Sequence, residues 1–194
     1  GGWPGARVFV DNVSWKPAGT RALGMHQDAA YLPWMNPQEM VSCWIALDDT
    51  AAEGGTMQVV KGSHKWATAK PEGEFHGPED YQKYMRQAAK VEGVEEPQVV
   101  PIVVKKGSGS FHHGRVWHGS GPNESGNPRR SLVVHCISSE TKFVPEHIAI
   151  GVGPIYGRYM HRDGNPLMDE AYFPILWTKD GYRTPWIDDY MTAA

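Results

Sequence analysis

The 194-residue sequence predicts a mostly β domain of the sandwich or barrel type. Three observations carry this. Short apolar runs rich in β-branched and aromatic residues recur up to Glu140. Between them stand Asp48-Asp49, Glu53-Gly54-Gly55, Lys61-Gly62-Ser63 and Lys106-Gly107-Ser108-Gly109, clusters that favour tight turns. A helical period appears over one segment alone.

In chain order, the candidate strands are 7–15 (Val8, Phe9, Val10, Val13), 25–31, 41–47 (Val41, Trp44, Ile45), 56–60, 98–104 (Val99, Val100, Val103), 109–113 and 131–138. Within 41–47 alternation places Ser42, Trp44 and Ala46 on one face and Cys43, Ile45 and Leu47 on the other. The helical segment carries Tyr81, Tyr84, Met85, Ala88 and Ala89 at intervals of three and four. It sits in an insertion, 66–97, of a length that reads as a lid. From 140 to 194 the sequence turns irregular and aromatic, with Tyr156, Tyr159, Tyr172, Phe173, Trp177, Tyr182 and Trp186 among Pro and Gly. This stretch reads as a covering tail whose aromatics are mostly core.

The length suits one domain, 1–194. With 40% hydrophobic and 21% charged residues, disorder and a membrane protein are both disfavoured. A net charge of −3 without a dense basic block excludes a nucleic-acid footprint or an anionic-membrane patch and favours a small-molecule partner; oligomeric state is left open. No apolar run has the length of a membrane span and the first residues lack signal-peptide character, so a cytoplasmic setting is expected. The chain opens on Gly1-Gly2-Trp3-Pro4-Gly5 without an initiator Met, which reads as an artificial leader scar or as a fragment of a longer protein lacking an N-terminal portion. Cys43 and Cys136 lie in apolar runs and are expected as buried thiols. Gly107 to Gly109 lacks the Lys-Ser/Thr ending of a phosphate loop.

His26-Gln27-Asp28 holds an imidazole and a carboxylate two residues apart, which on a strand point to one face. A third ligand is available in His118, within Val116-Trp117-His118-Gly119-Ser120-Gly121-Pro122-Asn123. Two histidines and one carboxylate make a facial triad with open positions on iron(II), although zinc accepts the same donors. Arg129 opens the apolar strand that follows, and a guanidinium there calls for a carboxylate to grip in bidentate fashion. Parity leaves Arg129 and Arg130 undecided. Of the other histidines, His112 and His113 stand equally between pocket and structural roles and His135 between a supporting role and core packing. His64 reads as a turn residue, and His76, His147 and His161 as surface.

The segments His26-Gln27-Asp28, Trp44-Ile45-Ala46-Leu47-Asp48-Asp49, Gly54 to Thr56, Gly62-Ser63-His64-Lys65, His118 to Asn123 and Arg129-Arg130-Ser131-Leu132 resemble, in order and spacing, the phytanoyl-CoA dioxygenase family of iron(II)- and 2-oxoglutarate-dependent oxygenases. The resemblance runs from about residue 7 to residue 138. It implies a double-stranded β-helix, or cupin-like jelly roll, with iron held by His26, Asp28 and His118. It further implies 2-oxoglutarate anchored by Arg129, eleven residues after His118, with Ser120, Trp44 and Asn12 lining its pocket. The implied reaction uses molecular oxygen and hydroxylates a small organic substrate, releasing succinate and carbon dioxide. Halogenases of this kind replace the carboxylate with a small residue, so Asp28 favours hydroxylation. Two rival readings stand beside it: a cupin-like metalloenzyme that does not use 2-oxoglutarate, which leaves Arg129 unexplained, and a non-catalytic fragment that keeps the fold.

Overall fold

The computed structural model describes residues 2–70, 72–144 and 165–191; His147, His161, Tyr156 and Tyr159 lie outside them. The strands are β1 (Gly5–Lys16), β2 (Leu23–His26), β3 (Met35–Asn36), β4 (Met40–Ala46), β5 (Met57–Val60), β6 (Val99–Pro101), β7 (Gly109–His113), β8 (His118–Ser120), β9 (Arg129–Ser138), β10 (Lys142–Phe143) and β11 (Ile175–Thr178). Two α-helices, α1 (Lys83–Val91) and α2 (Trp186–Met191), and two 3-10 turns, Asp28–Tyr31 and Ser63–Lys65, complete the described elements.

A five-stranded sheet has the order β11-β1-β9-β4-β7, a four-stranded sheet the order β2-β8-β5-β6, and β10 pairs with β3. Few neighbours in either large sheet are consecutive in the chain, so each face is assembled from distant segments, as a jelly roll requires. The chain gathers into two compact units. One draws on Gly1–Asp11, Tyr31–Val41 and Val134–Ala194, the other on Asn12–Ala30 and Ser42–Val133.

The first unit is built on an aromatic core. Phe9, Trp34, Met40, Ile137, Phe143 and Phe173 are buried together, with the Phe9 and Phe143 rings each 5.5 Å from Trp34. β11 pairs antiparallel with the start of β1, Gly5 opposite Thr178, so the tail supplies a sheet strand. Of its described aromatics Phe173 is buried, whereas Tyr172, Trp177, Tyr182 and Trp186 are exposed. The expectation that most of them are core therefore fails for the described residues.

The second unit holds two apolar clusters. Met25, Val60, Trp66, Met85, Ala89 and Trp117 form one, Trp44, Ala46, Met57 and Val133 the other. In α1 the buried residues are Met85 and Ala89, four apart on one face, as the sequence period predicts. The insertion is also tied to the outer edge of β2 through backbone: Gly24 N–H donates to Phe75 C=O (2.9 Å), Met25 N–H to Tyr81 C=O (2.7 Å) and Gly77 N–H to Ala22 C=O (2.9 Å).

Two strand expectations are corrected by the structure. The segment 25–31 is extended only to His26, and Asp28 opens a 3-10 turn. Buried Gln27 turns the chain, its amide donating to Arg115 C=O (2.8 Å) and accepting from Ala69 N–H (2.8 Å). Ala29 N–H then bonds Gly114 C=O at 2.9 Å. The expected strand 98–104 narrows to Val99–Pro101. Cys43 and Cys136 are half-buried and unbridged rather than fully buried.

Candidate metal centre

β2 ends on His26 and β8 begins on His118, and the two residues are register partners in antiparallel pairing. Their rings therefore meet, with centroids 4.2 Å apart. The turn after β2 swings Asp28 toward both: its Oδ1 lies 3.4 Å from His26 Nε2 and 3.5 Å from His118 Nε2. One ligand atom from each of the three side chains falls within 4.8 Å of the others. So His26 and Asp28 converge as the sequence predicts, by way of a turn instead of strand parity.

The imidazoles are oriented for ligation. Nδ1 of His26 lies 2.9 Å from Gly24 C=O and Nδ1 of His118 lies 2.9 Å from Val116 C=O. A carbonyl can only accept, so each Nδ1 carries the hydrogen and each Nε2 presents a lone pair to the space beside Asp28. Burial pushes the His118 imidazole down to about 3; the Asp28 charge opposes this, while His26 and His112 add to it. The ring is thus neutral across the physiological range, the form that binds a metal. Nitrogen, nitrogen and carboxylate oxygen suit a divalent transition metal with open positions, and this donor set fits iron(II).

Two further residues sit on Asp28. Ser42, on β4, donates its hydroxyl to Oδ2 at 3.0 Å. His112, on β7, is buried with Nε2 at 3.8 Å from the same oxygen and its ring 4.6 Å from that of His118. Of His112 and His113, His112 is thus the one that borders the cluster. His113 is half-buried and its Nδ1 accepts from Arg115 N–H. His64 and His76 are exposed, and His135 is half-buried in the first unit. From the insertion, Phe75 meets the His26 ring edge-on at 4.6 Å.

A second cluster lies at the ends of β8, β9 and β1. Arg129 is buried, and its Nε and Nη2 donate to Gly55 C=O (3.2 and 2.9 Å) and its Nη1 to Ser131 Oγ (3.1 Å). Gly55 has φ +64°, and a Cβ there would come within 2.7 Å of Lys16 Cε and 2.9 Å of two carbonyl oxygens, so only glycine fits. Lys16, 5% exposed, donates through Nζ to Ser120 Oγ (3.0 Å) and Arg21 C=O (2.9 Å). Burial, and secondarily the Arg129 charge, lowers the Lys16 ammonium to about 8, and burial lowers Arg129. Asn123 holds the adjoining loop by donating to Lys16, Pro17 and Asn127 carbonyls.

Arg130 is placed quite differently. It is exposed, and its Nε and Nη2 donate to the two oxygens of Asp48 at 3.0 and 2.6 Å. Of the two arginines, Arg129 is thus the buried one and Arg130 the one paired at the surface. Trp44 is buried beside Ala46, Met57 and Val133, and Asn12 is exposed on β1, with Ser14 donating to its Oδ1. Lys16, Ser42, Ser131 and the Gly55 carbonyl are site elements that sequence reasoning missed. A lysine closing a strand reads as solvent-facing, and serines and backbone carbonyls carry no distinctive signal.

The profile of the phytanoyl-CoA dioxygenase (PhyH) family matches residues 6–131, a span containing all of these side chains. The chain belongs to the phytanoyl-CoA dioxygenase family. Human peroxisomal phytanoyl-CoA dioxygenase is 29% identical over 131 residues, 62% of this chain and 35% of the human protein. The probable alpha-ketoglutarate-dependent hypophosphite dioxygenase of Stutzerimonas stutzeri is 30% identical over 128 residues, 66% of this chain and 44% of that protein. Among solved structures, the non-heme alpha-ketoglutarate-dependent carbocyclase SnoK from nogalamycin biosynthesis superposes with TM-score 0.66 at 26% identity, covering 88% of this chain and 62% of its own. This member of the family thus has the jelly-roll fold of such oxygenases. It spans about a third of the length of the human relative.

Proposed function

We propose that this chain is an iron(II)- and 2-oxoglutarate-dependent dioxygenase that hydroxylates a small organic substrate. The observation that carries the reading is the convergence of His26 and His118 Nε2 on one oxygen of Asp28, in the same unit as a buried Arg129 that no carboxylate of the described residues neutralises.

In this reading His26, Asp28 and His118 hold the iron. Bound iron(II), with 2-oxoglutarate and oxygen, supplies the oxidising chemistry. The protein's contributions are local. The Gly24 and Val116 carbonyls fix the ring tautomers, and Ser42 occupies Oδ2 of Asp28 so that Oδ1 faces the two imidazoles. Arg129 and Ser120 take the far carboxylate of 2-oxoglutarate, in a pocket walled by Trp44. Buried Trp44, Met57 and Val133 exclude water, which strengthens these charge contacts. Retention of a carboxylate at Asp28 favours hydroxylation over halogenation. The insertion 66–97 serves as the lid and, through Phe75 beside His26, faces the substrate.

The test is anaerobic reconstitution with iron(II) followed by 2-oxoglutarate. The expected result is a keto-acid-dependent visible charge-transfer band, with succinate released once air is admitted. Metal binding without such a band would overturn the keto-acid reading.

A further inference from the structure

Arg129 is not the only buried cation of its cluster. Lys16 closes β1 with its ammonium inside the protein, and among the described residues no carboxylate lies within ion-pairing distance of either group. Two like charges out of water without a counter-ion are costly, and a protein keeps such an arrangement where an anion completes it. The groups that face Lys16 are otherwise neutral: Ser120 from β8, the Arg21 carbonyl, and the Gly55 backbone against its stem. Among the described residues Arg129, from β9, is the charged group acting on it.

The hydrogen-bond pattern specifies what Lys16 does to Ser120. An ammonium has donors only, so in the 3.0 Å contact Ser120 Oγ must accept. The serine hydrogen is thereby directed elsewhere, and the hydroxyl becomes a donor polarised by a full positive charge. Two of the three ammonium hydrogens are used by Ser120 and Arg21, and the third has no partner among the described residues.

We propose that Lys16 is a second cationic anchor of the 2-oxoglutarate pocket, binding the far carboxylate together with Arg129 and committing the Ser120 hydroxyl to donate to it. This rests on the 2-oxoglutarate reading above. It adds a residue from β1, and it makes keto-acid affinity sensitive to alkali. In the ligand-free protein the ammonium gives up its proton near pH 8. The carboxylate favours the charged form, so binding takes up a proton once the pH exceeds that value, and affinity falls up to about tenfold per further pH unit.

The experiment titrates 2-oxoglutarate, and separately pyruvate, which lacks the far carboxylate, into iron(II)-loaded protein without oxygen between pH 7 and 9.5. Binding is read from the charge-transfer band and from calorimetry in two buffers of different ionisation heat. Wild type should bind 2-oxoglutarate more weakly as the pH passes 8, with proton uptake, while pyruvate shows neither effect. Lys16→Met should weaken 2-oxoglutarate about 10- to 100-fold at pH 7, abolish the proton uptake and leave pyruvate unchanged. Lys16→Arg, charged throughout, should keep binding and lose the pH dependence, which keeps the test open if the Met variant does not fold. Unaltered 2-oxoglutarate affinity and pH profile in either variant would overturn the role of Lys16. Failure of metal-loaded wild type to bind 2-oxoglutarate would instead overturn the functional reading itself.

Discussion

Ser42 donates a 3.0 Å hydrogen bond to Oδ2 of Asp28, while the two histidines of the cluster approach Oδ1. The carboxylate is thus held in one rotation, with one oxygen occupied by the protein and the other turned to the metal side. Partners of this kind are generally worth 10- to 100-fold in metal affinity. Ser42→Ala should therefore weaken iron(II) binding by about that factor without changing the fold, as read by competition with a chelator and by circular dichroism. Unchanged affinity would show that the turn at Asp28 alone orients the group.

Removing the carboxylate goes further. Asp28→Ala should abolish iron-dependent succinate formation and most of the metal affinity, leaving two imidazoles to hold the ion. Turnover at the wild-type rate would remove Asp28 from the proposed triad.

The neighbouring arginines make a matched pair of controls. Arg129 is buried and bound to Gly55 C=O and Ser131, whereas Arg130 is exposed and grips Asp48. Arg129→Ala should raise the 2-oxoglutarate concentration needed for half-saturation by at least about tenfold, in line with loss of a charge-assisted bidentate contact. Arg130→Ala should leave it unchanged and have little effect on stability, as solvent screening makes exposed ion pairs weak. Equal effects of the two substitutions on half-saturation would contradict the proposed anchor.

How far the sequence alone carries can be seen at these same positions. The chemistry of His26, Asp28 and His118 was legible because few side-chain types bind metals, and the helix at Lys83–Val91 because Met85 and Ala89 repeat at helical spacing. The turn at Asp28 was not, since it depends on Gln27 bonding Arg115 and Ala69, residues far away in the chain. Arg129 and Arg130 differ in their surroundings and not in type, so parity could not separate them. Lys16 escaped notice for the same reason: its burial is produced by Ser120, Arg21 and Gly55, none of which its own strand announces. The exposed aromatics of the tail show the converse, that large apolar side chains do not by themselves identify a core.

Lys16 also has a signature in stability. In the folded chain burial brings its ammonium down to about 8, below the ordinary lysine value of 10.5. Between those limits the unfolded chain holds the proton and the folded chain does not, so the unfolded state binds more protons and stability rises with pH. The contribution is fully present above 10.5 and is lost as the pH falls through 8. In denaturant titrations without keto acid, wild type should therefore gain on Lys16→Met as the pH is raised from 8 toward 10.5. A difference constant over that interval would mean that the ammonium is not desolvated.

The packing of the insertion can be tested separately. Met85 is fully buried against Met25, Val60, Trp66 and Trp117. Met85→Ala should lower the unfolding free energy by about 2–5 kcal/mol, measured by denaturant unfolding. A loss well under 1 kcal/mol would indicate that α1 unfolds independently of the sheet it covers.

The three hydrogen bonds that attach the insertion to β2, from Gly24, Met25 and Gly77, are all made between main-chain atoms. Such bonds are indifferent to the side chains carried on either strand. Apart from Gly73 and Gly77, whose positive φ and close neighbours call for glycine, the segment bearing Phe75 beside His26 can thus change its side chains while its anchorage persists, much as a tool head is exchanged on a fixed handle. Under the proposed function, the side chains carried there would set substrate preference while the backbones that bear His26, Asp28 and His118 stay as they are.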